Sequence, residues 1–112
     1  MEHKMKLKNK PFKSIKNGSK TIELRLYDEK RSKIRVGDAI EFTNISNGEV
    51  LEVDVTNLYR YNSFEELYSD FDKVSLGYEV DEEACYKDME EYYSKEEQAK
   101  CGVVGIKICL KK

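Results

Sequence analysis

Polar and apolar residues alternate along much of the first half of the chain, and the alternation gives way to helical spacing at a few defined places. Residues 1–7 alternate well enough for an edge strand. Pro11 then opens a stretch in which Phe12 and Ile15 stand three apart. This is the spacing of a two-turn helix that turns both inward, leaves Lys13 and Lys16 outward and stops at Gly18. Residues 21–26 alternate strictly, so a strand there sends Ile22, Leu24 and Leu26 to one face and Thr21, Glu23 and Arg25 to the other. A charged connection over 27–35 and a turn at Val36, Gly37 and Asp38 lead into a strand over 39–43. Asn47-Gly48 marks a hairpin, and the returning strand covers 49–55, with 56–61 able to prolong it.

Helical signals dominate from Ser63 onward. Ser63 and Glu66 form a capping box ahead of an apolar stripe of Phe64, Leu67, Tyr68 and Phe71. Asp81 is placed to cap a second helix running to about Tyr93, and Ser94 with Glu97 is a further capping box whose short helix ends at Cys101-Gly102. The closing stretch, 103–110, begins almost wholly apolar, as a strand crossing the middle of a sheet or barrel does. Helices gathered between an antiparallel hairpin and a final inner strand indicate an α+β fold: a small twisted barrel with helices packed around it and Ile22, Leu24, Ile40, Phe42, Val53, Val104 and Ile106 in the core. The 112 residues read as a single domain, 1–112. No apolar run approaches the roughly 18 residues of a membrane span, so the expectation is a soluble, cytoplasmic monomer that does not engage a membrane.

Charge changes this picture more than composition does. The net charge of -2 combines a basic part, 1–36, with 12 Lys/Arg and 4 Asp/Glu, and an acidic part, 37–112, with 8 and 18. Most of the acidity lies in 63–97, which holds 13 acids and 3 lysines. Such an asymmetry implies an anionic ligand, nucleic acid or nucleotide, held at the basic end, with the two parts presenting separate surfaces. The plainer reading is a solvated lysine-rich surface.

The chemistry-bearing residues exclude several classes. A single histidine, His3, leaves no His-pair metal site. The six glycines are scattered singly, so no phosphate-binding loop is present, and nucleoside-triphosphate chemistry is not expected. Cys85, Cys101 and Cys109 have no metal-ligand spacing and read as reduced thiols. Neither a metal nor a cofactor is expected. What remains is the strand mouth at Gly18 to Arg25, where Lys20, Glu23 and Arg25 can meet beside the basic first helix. They form either a binding pocket or an exposed Glu/Arg pair worth under about 1 kcal/mol.

Gly18-x-Lys20-x-x-Glu23-x-Arg25, followed twelve residues later by Gly37-Asp38 and closed by Tyr93-Ser94 and Gly102-Val103-Val104-Gly105-Ile106, resembles the ASCH domain family over essentially the whole chain. The resemblance implies a PUA-like mixed β-barrel with a cleft lined by Lys20, Glu23 and Arg25, and a role in binding RNA or a modified nucleoside. Some small bacterial members hydrolyse N(4)-acetylcytidine with a lysine and a threonine of this strand and a glutamate before the later helix. Lys20 matches the lysine, Glu23 stands where the threonine is, and Glu79 is the nearest match to the glutamate, with Tyr78 and Glu82 as alternatives.

Three readings follow. In the first, Lys13, Lys16, Lys20 and Arg25 bind the phosphates or base edges of RNA or a nucleotide, Glu23 accepts from a base amino group, and tyrosines stack. In the second, Lys20 and Glu79 serve a nucleoside amidohydrolase, Lys20 as base, nucleophile or oxyanion partner and Glu79 activating water. In the third, the acidic helical side is a protein-interaction surface.

Overall fold

The structure, a computed structural model, describes residues 1–111. Strand β1 (Glu2–Leu7) is followed by helix α1 (Asn9–Lys16), strand β2 (Ile22–Leu26), a one-turn helix α2 (Glu29–Ser32), and the hairpin of β3 (Ala39–Asn44) and β4 (Val50–Tyr61). Helix α3 (Phe64–Asp70), a 3-10 helix (Tyr86–Glu91), helix α4 (Lys95–Cys101) and strand β5 (Val103–Leu110) complete the order. No helix among the described residues is long and apolar enough to cross a membrane.

The five strands form one sheet in the order β1-β3-β4-β5-β2, parallel between β1 and β3 and antiparallel elsewhere. Its curvature comes from β4. The first part of this 12-residue strand pairs with β3 and its later part with β5, with a register shift between Val55 and Asn57 that leaves Thr56 as the extra residue of a bulge. A bulge adds twist and bends the strand, so the sheet curls into a half-barrel. The α+β barrel expected from the sequence is thus an open one, with β1 and β2 as its edges.

Both faces of the sheet are covered. Inside the curl, Phe12 and Ile15 of α1 pack on Met5, Ile40, Phe42, Val53, Val104 and Ile106. On the other face, Ile22, Leu24, Leu26 and Val103 pack against Phe64 and Leu67 of α3 and Leu76 of the following loop. This double coverage explains why Val103, Val104, Gly105 and Ile106 are all buried, and all seven core residues read from the sequence are buried too. Gly105 lies where an added Cβ would stand 3.1 Å from Ile22 and 3.4 Å from Leu67, so α3 seats directly on β5.

Two elements depart from the sequence reading. The charged connection 27–35 contains α2, whose start is fixed by the Asp28 side chain accepting from the Arg31 amide. Asp81 caps no helix: 79–85 is irregular apart from a turn at 80–81 and a bend at 82, and the only helix between α3 and α4 is the 3-10 helix starting after Cys85. The reason lies in the spacing of Tyr86 and Met89, three apart and both packed on the outer cluster, which suits the three-residue repeat of a 3-10 helix.

Candidate functional site

The site lies where the half-barrel fails to close. β2 is one edge of the sheet, and its register partners place Glu23 opposite Ile106 and Arg25 opposite Val104, on the inner face. The Arg25 guanidinium crosses to the other edge, Nη2 donating to the Lys6 carbonyl of β1 at 3.1 Å. Lys30 Nζ donates to the Lys4 carbonyl two residues earlier at 3.3 Å, so side-chain cations satisfy β1's open edge in place of a sixth strand. Between the edges is a pocket of about 320 Å³.

Its floor is a buried ion triad. Glu23 is 3% exposed, with Lys20 Nζ 3.0 Å from Oε1 and Arg25 Nε donating to Oε2 at 2.7 Å. Burial alone would push the Glu23 carboxyl up. The two cations outweigh it and hold the carboxyl below its ordinary range. Burial works against the Arg25 charge too, yet Glu23 and Tyr93 beside it raise its pKa. The Lys20 side chain, 8% exposed, runs alongside Gly77. A Cβ at Gly77 would stand 3.0 Å from Lys20 Cδ, and its φ of +109° is one that only glycine adopts freely. Gly77 is held there because the Ser75 carbonyl accepts from the amides of Thr21 and Ile22 at the start of β2.

One wall is aromatic: Tyr68 of α3, Tyr78, and Tyr92 and Tyr93 after the 3-10 helix, with Leu76 and Met89 between them. The Tyr78 hydroxyl donates to Asp88 at 2.7 Å and lies 3.0 Å from the Tyr68 hydroxyl. Burial first, then these hydrogen bonds, push the Tyr78 hydroxyl well above its ordinary pKa, so Tyr78 stays a neutral phenol. The opposite rim carries Lys6, Lys8, Lys10 and Pro11 from the end of β1 and the start of α1. Five cations and two acids, Glu23 and Asp88, thus line the pocket.

The structure brings together three of the residues singled out in the sequence, Lys20, Glu23 and Arg25, and leaves three apart. Lys13 and Lys16 are exposed and lie outside the pocket, Lys16 pairing with Glu49 of the hairpin. Both sit on the solvent side of α1 because Phe12 and Ile15 take its core side. Glu79 is exposed outside the pocket, in a tight turn in which its amide donates to the Glu82 carboxylate at 2.8 Å and its carbonyl accepts from the Glu82 amide at 3.1 Å. Of its alternatives, Tyr78 lines the pocket, and Glu82 stands at the rim against Lys10. Sequence reasoning missed Tyr68 and Asp88. Tyr68 belongs to the apolar stripe of α3, where nothing distinguishes a wall residue from a core one, and Asp88 is one acid among many.

Comparison with known proteins agrees with this architecture. No curated protein matches the sequence at a significant level. Among solved structures, hypothetical protein PH0355 is similar at 32% identity and a TM-score of 0.84, covering 99% of this chain and 100% of that one. Protein PF0455 from Pyrococcus furiosus is similar at 34% identity and a TM-score of 0.72, covering 100% and 99%. The ZmASCH S128A mutant protein from Zymomonas mobilis shares the fold at 15% identity and a TM-score of 0.66, over 96% of this chain and 67% of that one. The ASCH domain profile matches residues 5–111, the span that holds the curled sheet, the ion triad and the tyrosine wall, and the chain therefore belongs to the ASCH domain family.

Proposed function

We propose that the protein binds a nucleoside unit, free or within RNA, in the pocket at the barrel seam. The observation that carries this reading is the meeting of a buried Lys20–Glu23–Arg25 triad with a wall of tyrosines in a space of about 320 Å³. That volume stands at the small end of ligand sites and suits one base and its sugar rather than a length of strand. Aromatic stacking supplies about 1–3 kcal/mol per base. The triad supplies polar edges of both kinds, Arg25 and Lys20 as donors and Glu23 as an acceptor for a base amino group.

Binding is favoured over amide hydrolysis. Lys20 Nζ is engaged with Glu23, no threonine hydroxyl takes the place of that carboxylate, and Glu79 is on the outside. The protein-interaction reading loses part of its acidic surface, because Glu82 and Glu91 turn toward Lys10 and Lys8. Calorimetric titration with cytidine and N(4)-acetylcytidine tests the proposal. Binding that Tyr78→Ala weakens by roughly tenfold, with no cytidine released from the acetylated ligand, is the expected result. Acetate release that depends on Lys20 would replace this reading with the hydrolytic one.

A further inference from the structure

The rim of the pocket is a set of ion pairs between the two oppositely charged parts of the chain. Lys10 Nζ donates to both carboxylate oxygens of Glu82, at 2.8 and 2.7 Å. Lys8 Nζ lies 3.8 Å from Glu91 and 5.0 Å above the Tyr92 ring. Both lysines line the pocket, and both glutamates belong to the stretch between α3 and α4 that carries Tyr78, Tyr92 and Tyr93.

These pairs are built to exchange. The side chains of Lys8 and Lys10 are 57% and 58% exposed, and exposed pairs of this kind are weak and screened by salt. Glu82 keeps the Glu79 amide as a partner at 2.8 Å, and its carbonyl accepts from Lys73 at 2.6 Å, so releasing Lys10 leaves neither the carboxylate nor the turn unsupported. A phosphate monoester carries up to twice a carboxylate's charge and three acceptor oxygens, and it outcompetes a single carboxylate for a pair of ammonium groups. The pocket floor is a poor place for that charge, because Glu23 already occupies both of its cations.

We propose that Lys8 and Lys10 form a phosphate subsite at the pocket mouth, guarded by Glu91 and Glu82, and that the pocket takes a nucleoside monophosphate in preference to the nucleoside. The base half of this proposal rests on the nucleoside reading of the pocket; the phosphate half does not.

The test is calorimetric titration at low salt with cytidine, cytidine 5′-monophosphate and inorganic pyrophosphate. The nucleotide is expected to bind at least tenfold tighter than cytidine. Glu82→Gln with Glu91→Gln should strengthen nucleotide binding severalfold and leave cytidine binding in place, and Lys8→Gln with Lys10→Gln should reduce the nucleotide to the affinity of cytidine. Equal affinities for nucleotide and nucleoside, or a glutamate effect alike on both, would overturn the subsite. Pyrophosphate that binds more tightly to the Glu82→Gln, Glu91→Gln protein while cytidine does not bind at all would keep the subsite and reject the nucleoside reading. Failure of both pyrophosphate and nucleotide to bind would reject the subsite itself. A 5′-phosphorylated tetracytidylate that matches the mononucleotide would assign the phosphate to an RNA end, and one that binds more weakly would assign it to a free nucleotide; both results uphold the subsite.

Discussion

At Glu23 a single carboxylate serves the fold and the site together. It neutralises two cations that would otherwise be buried alone, and it leaves an acceptor at the pocket floor. Removing one partner of a buried ionic group costs about 3–5 kcal/mol, so Glu23→Gln should lower the unfolding free energy by an amount in that range, read from urea denaturation. Glu23→Thr should carry a similar penalty for the same reason. Gly77→Ala combines a strained φ with a close approach to Lys20 and should cost roughly 1–3 kcal/mol. Acid acts on the same carboxylates. The Glu23 carboxyl is held below its ordinary 4.5, and Asp38, hydrogen-bonded first to His3 and then to the Arg35 amide, is lowered from 3.8 to about 2. Both folded values lie below the unfolded ones, so the stabilisation is complete above roughly pH 5 and drains away as pH falls through the folded values. A urea series between pH 6 and 2 should show this, with Asp38→Asn flattening part of the decline. Glu23 and Arg25 were legible as a pair because strict alternation fixes which residues of a strand share a face, and Lys20 joined them because it stands at the mouth of that strand, just after the stop at Gly18. Glu79 was not, because its place depends on a turn for which the sequence holds no periodic signal.

Elements with local chemistry were read well, and those governed by tertiary packing were not. The hairpin at Asn47-Gly48, the long β4 and the stops at Gly18 and Gly102 follow from turn and cap residues. Ser94 and Glu97 make the full reciprocal capping box, whereas at Ser63 only the forward half forms, from the Glu66 amide. Ser94→Ala should therefore cost about 1 kcal/mol, detectable as a lower thermal midpoint. Val104 is enclosed within the curl, and Val104→Ala should cost on the order of 1–3 kcal/mol against little change for Glu90→Ala. The stretch 81–93 looked like a helix because a capping residue precedes it. Tyr86, Met89 and Tyr93 instead pack on the outer cluster, and the backbone follows them through a turn and a 3-10 helix.

Across the whole molecule, the division into a basic and an acidic part was correct as arithmetic and misleading as geography. The parts meet at the seam, through Lys10 with Glu82 and Lys8 with Glu91, and away from it at the hairpin through Lys16 with Glu49, and the pocket draws its cations from one and its tyrosines from the other. Binding should accordingly weaken with salt, though less steeply than for an open basic surface, because part of the positive rim is already compensated. The same geometry means that a ligand touches both halves of the sequence at once. Nuclear magnetic resonance shift mapping with cytidine and with a short single-stranded RNA addresses the central claim most directly. The account predicts shifts gathered at Lys20, Arg25, Gly77, Tyr78 and Tyr93, with Lys13 and Lys16 unmoved. Shifts centred on the exposed side of α1, or spread over the surface without touching Gly77 and Tyr78, would contradict it.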